Sequence, residues 1–317
     1  MNSKRGKHDH LYYIINRTKK HNVDNISRTK AYQNFYIHYP EIKWALVASM
    51  VSRNAGWNMT DLLLSPFQKI LSKTERKRMF MTYERANWLI FSDAYPQLLI
   101  YKISLQLNKP MFHLLPELHV SRFMVREWER FWNNRNKDRL MTALIINEQN
   151  VIHQPVIKQS FFKYHIFRQF PYLLQDFFYL NAIIIPTRSE KLYGAFVHDF
   201  TNVTKRITLG KHIASIIFNP DIYNKLLDFA LHVEHTGSRR DYEQFFDKKL
   251  EKSPILRAAY PVITHQDIIR RDWYKIGGLK KKWWSDKSAE LYNDVSNSFY
   301  IRRNLLYAYY HLKNFFA

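Results

Sequence analysis

Apolar residues recur along this chain at intervals of three and four, and seldom at intervals of two. The clearest run, Ser189 to Phe218, puts Leu192, Phe196, Asp199, Val203, Ile207, Gly210, Ala214 and Ile217 on one stripe and predicts a long central helix near 189–218. Two members depart from the apolar rule. Asp199 would be costly if buried without a partner, so it calls for an Arg or a backbone donor. Gly210 costs about 1 kcal/mol in a helix interior, which close packing against a neighbouring helix explains.

Helix starts are well marked. Ser65-Pro66 and Asn219-Pro220 place a capping residue before Pro at a first helical position. Ser72 with Glu75, and Thr187 with Glu190, have capping-box spacing. Asp93 to Pro96 predicts a further start, since Pro is tolerated in a first turn. Breaks near Pro110–Pro116, Pro155, Pro171, Pro186 and Pro254–Pro261 read as turns between helices. Only 7 glycines are present, too few for a hairpin-rich fold. The pattern therefore predicts an all-α chain, a single multi-helix domain over 29–317. Ahead of it, residues 1–28 read as a basic N-terminal arm. There Lys4, Arg5, Lys7, Arg17, Lys19, Lys20 and Arg28, with Lys30 just beyond, outweigh Asp9 and Asp24.

Composition adds compartment and partner. Against 27 Asp+Glu stand 49 Lys+Arg, a formal net charge of +22 at pH 7, which draws the protein to phosphate polymers and anionic lipid. Lys, Asn, Ile, Tyr and Phe are also what AT-rich codons supply, so the excess has a compositional reading beside the functional one. The absence of Cys excludes disulfides, thiolate catalysis and Cys-ligated metal, and fits a reducing cytoplasm. After the basic start, Leu11 to Ile15 is too short for a secretory core, and no apolar run approaches the roughly 18 residues of a membrane span. A cytoplasmic protein without a transmembrane segment is expected.

Four segments could carry chemistry. In Ser52–Asp61, the plain reading is a helix stop at Asn54–Gly56, a packed Trp57 and Thr60 capping the next helix. The functional reading gathers Arg53, Asn54, Asn58 and Asp61 in a polar loop. In Val233–Tyr242, Gly237 suits the left-handed position after a helix end, and Ser238 to Asp241 spaces a cap and an acid. The same helix start, with Ser238, Arg239 and Arg240, also suits an anion. Just before it, Asp228, His232 and His235 fall at i, i+4 and i+7. Without a His-Glu-x-x-His motif, a solvated polar face is the better reading there than a metal. In Tyr83–Gln97, Glu84 and Asn87 share a side with Phe80 and Phe91. That makes Glu84 either a buried strut or a carboxylate with a raised pKa. Finally Lys280, Lys281 and Lys282 precede Trp283 and Trp284, after Gly277-Gly278. This suits a lipid interface or a phosphate backbone with stacking, or else a basic turn whose tryptophans pack inward. No Gly-rich phosphate loop or Ser nucleophile elbow occurs, and no motif names a cofactor.

Several unusual peptides occur in order: Asn34-Phe-Tyr, Glu41-Ile-Lys-Trp44, Met50-Val-Ser-Arg-Asn54, Trp57-Asn-Met-Thr-Asp61, Glu84-Arg-Ala-Asn87, Asp93-Ala-Tyr-Pro-Gln97, Leu209-Gly-Lys211 and His235-Thr-Gly-Ser-Arg239. With these the chain resembles the YppC-like proteins of spore-forming bacteria, a family of unknown function, over most of residues 29–275. The resemblance implies a bacterial cytosolic protein. It brings no activity and no site residues, and it includes neither the first 28 residues nor the Lys280–Trp284 patch.

Two functional readings follow. The first is a non-enzymatic helical module docking on an anionic partner, nucleic acid ahead of anionic membrane. Phosphate contacts would come from the N-terminal arm and Lys280–Lys282, with stacking on Trp283 and Trp284. The second is an enzyme or small-anion-binding protein whose pocket gathers Arg53, Asn54, Asn58, Asp61, Glu84, Asn87, His235, Ser238, Arg239 and Asp241. Whether those ten side chains converge on a cleft separates the two.

Overall fold

The chain is predominantly helical, as its periodicity predicts. The computed structural model describes residues 2–159, 182–247, 250–266, 270–285 and 294–315. Helix α1 (Asn2–His21) leads into α2 (Asn25–His38), capped by Asp24, and α3 (Trp44–Asp61). After α4 (Ser65–Ile70), the predicted capping box forms: Ser72 Oγ accepts from Glu75 N–H, and Glu75 accepts from Ser72 N–H. It starts α5 (Lys73–Gln106), the longest described helix. A 3-10 turn (Phe112–Leu118) leads to α6 (Arg122–Asn134) and α7 (Lys137–Val151), which ends in one π turn over His153–Ile157 containing Pro155. Strands β1 (Ala182–Pro186) and β2 (Leu192–Phe196) form an antiparallel hairpin pairing Ala182 with Phe196 and Pro186 with Leu192. Then come α8 (Val203–Ile217), α9 (Pro220–His232), one-turn helices at Arg240–Glu243, Leu256–Ala259 and Trp273–Gly277, and finally α10 (Ser296–Phe315).

The central-helix expectation needs correction. Residues 192–196 are a strand, and the helix starts only at Val203, capped by Asn202 Oδ1 accepting from Thr204 and Lys205 N–H. Leu192 and Phe196 are four apart, a spacing that fits one face of a helix and equally one face of a strand. The three isoleucines of β1 favour the strand. Gly194 is required in it: its φ is +145°, and an added Cβ would sit 2.0 Å from the Ile183 carbonyl oxygen. The Thr187–Glu190 capping box is likewise not a helix start but the hairpin turn, where Thr187 N–H donates to the Lys191 carbonyl at 3.0 Å. Asp199 lies in the loop before α8, with Lys205 Nζ at 3.1 Å from its carboxylate. Gly210 is explained as expected: an added Cβ would lie 2.8 Å from Ile145 Cγ2, where α8 packs on α7.

Other punctuation divides similarly. Asn219 caps α9 with Pro220 at its first position. Ser65 starts α4 but does not cap it; its N–H and hydroxyl both donate to Glu251. Asp93–Pro96 starts nothing, because α5 continues through Pro96. Asp93 instead accepts from Gln97 and Asn147 in the interior. Pro186 ends β1, and Pro171 lies outside the described residues. Nor does α3 stop at Asn54–Gly56; it runs unbroken to Asp61.

Trp44, Trp57, Trp128, Tyr101, Phe112 and Phe131 are among the largest fully buried side chains. The N-terminal segment folds as α1, laid along α5, with Ile14 in the core. Arg28 belongs to α2 and is fully buried, so it cannot serve as an arm contact.

Candidate functional site

The unbroken course of α3 changes what its polar residues do. Ser49, Ser52, Arg53, Gly56, Trp57, Thr60 and Asp61 recur three and four apart, so they form one inward face. That face meets α2 and the 233–243 segment. Gly56 allows the close approach, since an added Cβ would lie 2.5 Å from Asn25 Oδ1 and 3.0 Å from the His235 ring.

The ten side chains expected in one pocket do not converge: seven distribute over three buried centres, and Asn54, Asn58 and Asn87 stand apart from them. The first gathers His235, Asp241 and Arg53. Asp241 Oδ2 accepts from Trp57 Nε1 at 2.9 Å and faces His235 Nδ1 at 3.2 Å. His235 Nε2 lies 2.9 Å from Asn25 Oδ1, and Asn25 Nδ2 donates to the Ser52 carbonyl at 2.7 Å. Arg53 donates to the Val233 carbonyl and lies 4.0 Å from Asp241. Burial pushes the His235 pKa down to about 4 despite the pull of Asp241. Burial pushes Asp241 up, but His235 and Arg53 outweigh it and hold the carboxyl below its usual range.

The second centre is an ion-pair cluster at the end of α3. Arg239 Nε donates to Asp61 Oδ1, Nη1 to Glu243 Oε1 at 2.8 Å, and Nη2 to the Glu251 carbonyl at 3.0 Å. Arg303 of α10 reaches Asp61 Oδ2 at 3.2 Å. Arg239 is only 1% exposed, and Ser238, fully buried, donates to the Ser253 carbonyl at 2.8 Å. Each nitrogen of the Arg239 fork has a protein acceptor, and the segment after Ser238 is a single helical turn. Gly237 does take the expected left-handed conformation, with φ +74°.

Glu84 forms the third. Arg28 Nη2 donates to its Oε2, and His265 Nε2 lies 3.5 Å from its Oε1. Burial works to raise the Glu84 pKa, but the Arg28 charge and His265 bring it below the usual carboxylate value, so the raised pKa expected of it is not what its surroundings produce. Asn54 is a strut. Its Nδ2 donates to the Ala182 carbonyl at 3.2 Å and its Oδ1 accepts from Ile184 N–H at 3.0 Å, closing the free edge of β1. Asn87 donates to the Tyr83 carbonyl one turn back, and Asn58 is half-buried. Asp228 and His232 pair on the surface at 2.9 Å while His235 turns inward. Among the described residues no group of three or more His, Asp and Glu is placed to hold a metal ion.

Arg28, Asn25, Glu243, His265 and Arg303 are the members sequence reasoning missed. They lie on four elements, and no local spacing links them. The inward three-and-four periodicity of α3 was the one readable signal, and treating Gly56 as a helix stop hides it.

On the outside, the Lys280–Trp284 turn follows the second of its sequence readings, a basic turn whose tryptophans pack inward. Trp283 is 3% exposed and its Nε1 donates to Thr204 Oγ1 at 3.1 Å, so it cannot stack on a partner. Trp284 is half-buried against Phe123, with the Arg139 guanidinium 4.2 Å from its ring centroid. Lys280, Lys281 and Lys282 stay exposed. The turn lies beside α6: Arg126 Nη1 donates to Tyr274 Oη at 3.3 Å, and Arg122 N–H donates to Asp272 at 3.1 Å. The solvent side of α6 adds Arg122, Arg126 and Arg130 to the lysines. Arg122, Lys275, Lys281 and Lys282 form no ion pair among the described residues.

No described helix is long and apolar enough to cross a membrane. No solved structure matches the chain. A relative from Bacillus subtilis (strain 168), the uncharacterized protein YppC, is 45% identical over 299 residues, covering 94% of this chain and 93% of the relative. The model of a family described as a protein of unknown function (DUF2515) matches residues 20–300. The peptides that first pointed to YppC-like proteins, among them Glu84–Asn87 and His235–Arg239, fall within that span, and the chain belongs to the DUF2515 family.

Proposed function

We propose that this protein docks on a nucleic-acid backbone through the basic face shared by α6 and the 271–282 segment. The observation that carries the reading is the pairing pattern. Among the described residues, every strongly buried Arg or Lys has a carboxylate or carbonyl, whereas on this face the side chains of Arg122, Lys275, Lys281 and Lys282 have none. Unpaired cations on one surface favour phosphate, whose condensed counterions are released on contact. A lipid surface is the weaker fit, because Ile276 is the one exposed large apolar side chain on this segment, and interfacial anchoring needs buried apolar area. Half-buried Trp284, already covered by Arg139, offers little to a base, so binding is electrostatic and weakly sequence-selective. A cytoplasmic setting accords with this role and with the absence of Cys.

The test is binding to a duplex oligonucleotide as a function of salt. With about five phosphate contacts, log K falls against log salt with a slope near −4 to −5. The triple variant Arg126→Gln/Lys281→Gln/Lys282→Gln lowers that slope by about 3 while leaving the fold intact. A slope unchanged in the variant, or no binding at low salt, overturns the proposal.

A further inference from the structure

The third buried centre differs from the other two, because it reaches a cleft. Between α1, α5, residues 262–265 and Arg270 lies a cavity of about 700 Å³. That volume is in the range of small-molecule sites. Pro96 helps to make it. Within α5, Pro96 has no N–H to give the Ser92 carbonyl four residues back. Arg270 supplies the missing donor: its Nη2 donates to Ser92 O at 3.2 Å and to Leu118 O at 3.0 Å. Its Nε stands 3.7 Å from Asp93 Oδ1. The guanidinium is thereby clamped in the cavity wall, with no hydrogen-bond acceptor for Nη1 among the described residues.

A second donor is His265, whose side chain is 5% exposed. Its ring lies 5.1 Å from that of Trp88, which also lines the cavity. Its Nε2 faces Glu84, and Nδ1 has no partner among the described residues. The support runs deeper: Glu84 is held by Arg28, Arg28 Nη1 donates to Asn22 Oδ1 at 3.2 Å, and Asn22 Nδ2 donates to Ser92 Oγ at 2.9 Å. Asn22, Ser92, His265 and Arg270 thus form one connected polar wall. Lys19 stands at the rim, and the one acid lining the cavity among the described residues, Glu117, is already paired with Lys7 at 2.9 Å. Apolar surface is supplied by Ile15, Trp88, Leu118 and Ile263, among others, with Thr18, His119 and Thr264 interspersed.

We infer that this cleft binds a small organic anion, its carboxylate or phosphate held by Arg270 and His265 and its apolar body resting on Trp88. A fixed guanidinium beside a buried imidazole recognises a planar or tetrahedral anion by charge-assisted hydrogen bonds. The apolar walls ask for carbon attached to it.

The test is calorimetry on the full chain with benzoate, phenyl phosphate, inorganic phosphate and neutral benzamide. Benzoate or phenyl phosphate is expected to bind, and each should exceed benzamide by about tenfold or more. Which of the two binds tighter tells carboxylate from phosphate. Arg270→Gln should weaken binding by about tenfold. Because Arg270 also supports the backbone, Val262→Trp provides the second variant: residue 262 is exposed at the cavity, so an indole there blocks the cleft without disturbing the interior. Binding that survives Lys281→Gln/Lys282→Gln but is lost in Val262→Trp places the ligand in the cleft rather than on the basic face. The inference is overturned if neither acid binds below about 10 mM, if benzamide binds as well as benzoate, or if Val262→Trp binds like the wild type.

Discussion

The ion-pair cluster around Arg239 and the basic face along α6 are built from the same residue types and behave in opposite ways. In the cluster, two arginines and two carboxylates balance, and the fork of Arg239 is fully committed to protein acceptors. On the face, cations stand a few ångströms from aromatic rings with few carboxylates to answer them. The difference shows that the net charge of +22 is not spread evenly in its meaning. Part of the basic excess lies inside, where it holds helices together; on the face, Arg122, Lys275, Lys281 and Lys282 form no ion pair among the described residues. Desolvation sets the rule. A buried charge costs several kcal/mol unless it is paired, whereas an exposed one costs little either way.

The sharpest way to break this comparison is to remove one buried partner. Asp61→Asn leaves Arg239 and Arg303 facing each other without their shared carboxylate, and should lower unfolding stability by about 3–5 kcal/mol in denaturant titration. Arg239→Lys keeps the charge but loses the fork, and its melting temperature should fall equally with and without added anions. Stabilisation of the wild type by an anion that Arg239→Lys abolishes would return Arg239 to a ligand site.

A second test uses pH. The folded-state pKa of His235 is depressed from 6.5 to about 4 by burial. Between those values the folded chain holds fewer protons than the unfolded one, so stability falls as pH falls from 6.5 toward 4, by up to about 3 kcal/mol. His235→Gln should flatten that part of the curve. Glu148 acts in the opposite sense. Burial raises it from 4.5 to about 7, against hydrogen bonds from Gln149 and Trp44. Its contribution is lost as pH rises from 4.5 through 7, so Glu148→Gln should raise the melting temperature at pH 8 and change it little at pH 4. Melting curves of the two variants across pH separate these contributions.

Smaller again is Asn54→Ala. It removes both side-chain bonds to β1 and should cost about 1–3 kcal/mol, with early loss of hydrogen-exchange protection at Ile184. The smallest stability change belongs to the basic face. Lys281→Gln/Lys282→Gln should shift stability by no more than about 0.5 kcal/mol. A large loss there would mean that the face supports the fold rather than a partner.

By itself the sequence determined the helical class, the Ser72 and Asn219 helix starts, the close packing at Gly210 and the family, because each is written in local spacing or in short peptides. It misread residues 189–200, since Leu192 and Phe196 satisfy a helix and a strand alike and only pairing with β1 decides between them. It chose the right neighbourhood at Arg53, Asp61, Glu84, His235, Arg239 and Asp241, because polar residues amid apolar periodicity stand out. Their partners were decided by the tertiary structure alone. Arg28 looks like part of a basic arm until α2 packs beside Glu84, and Arg270 looks like one more surface cation until Pro96 leaves the Ser92 carbonyl free. The reason is physical: a charge's role depends on its partners and its access to water, and both are set by contacts between residues tens to hundreds of positions apart.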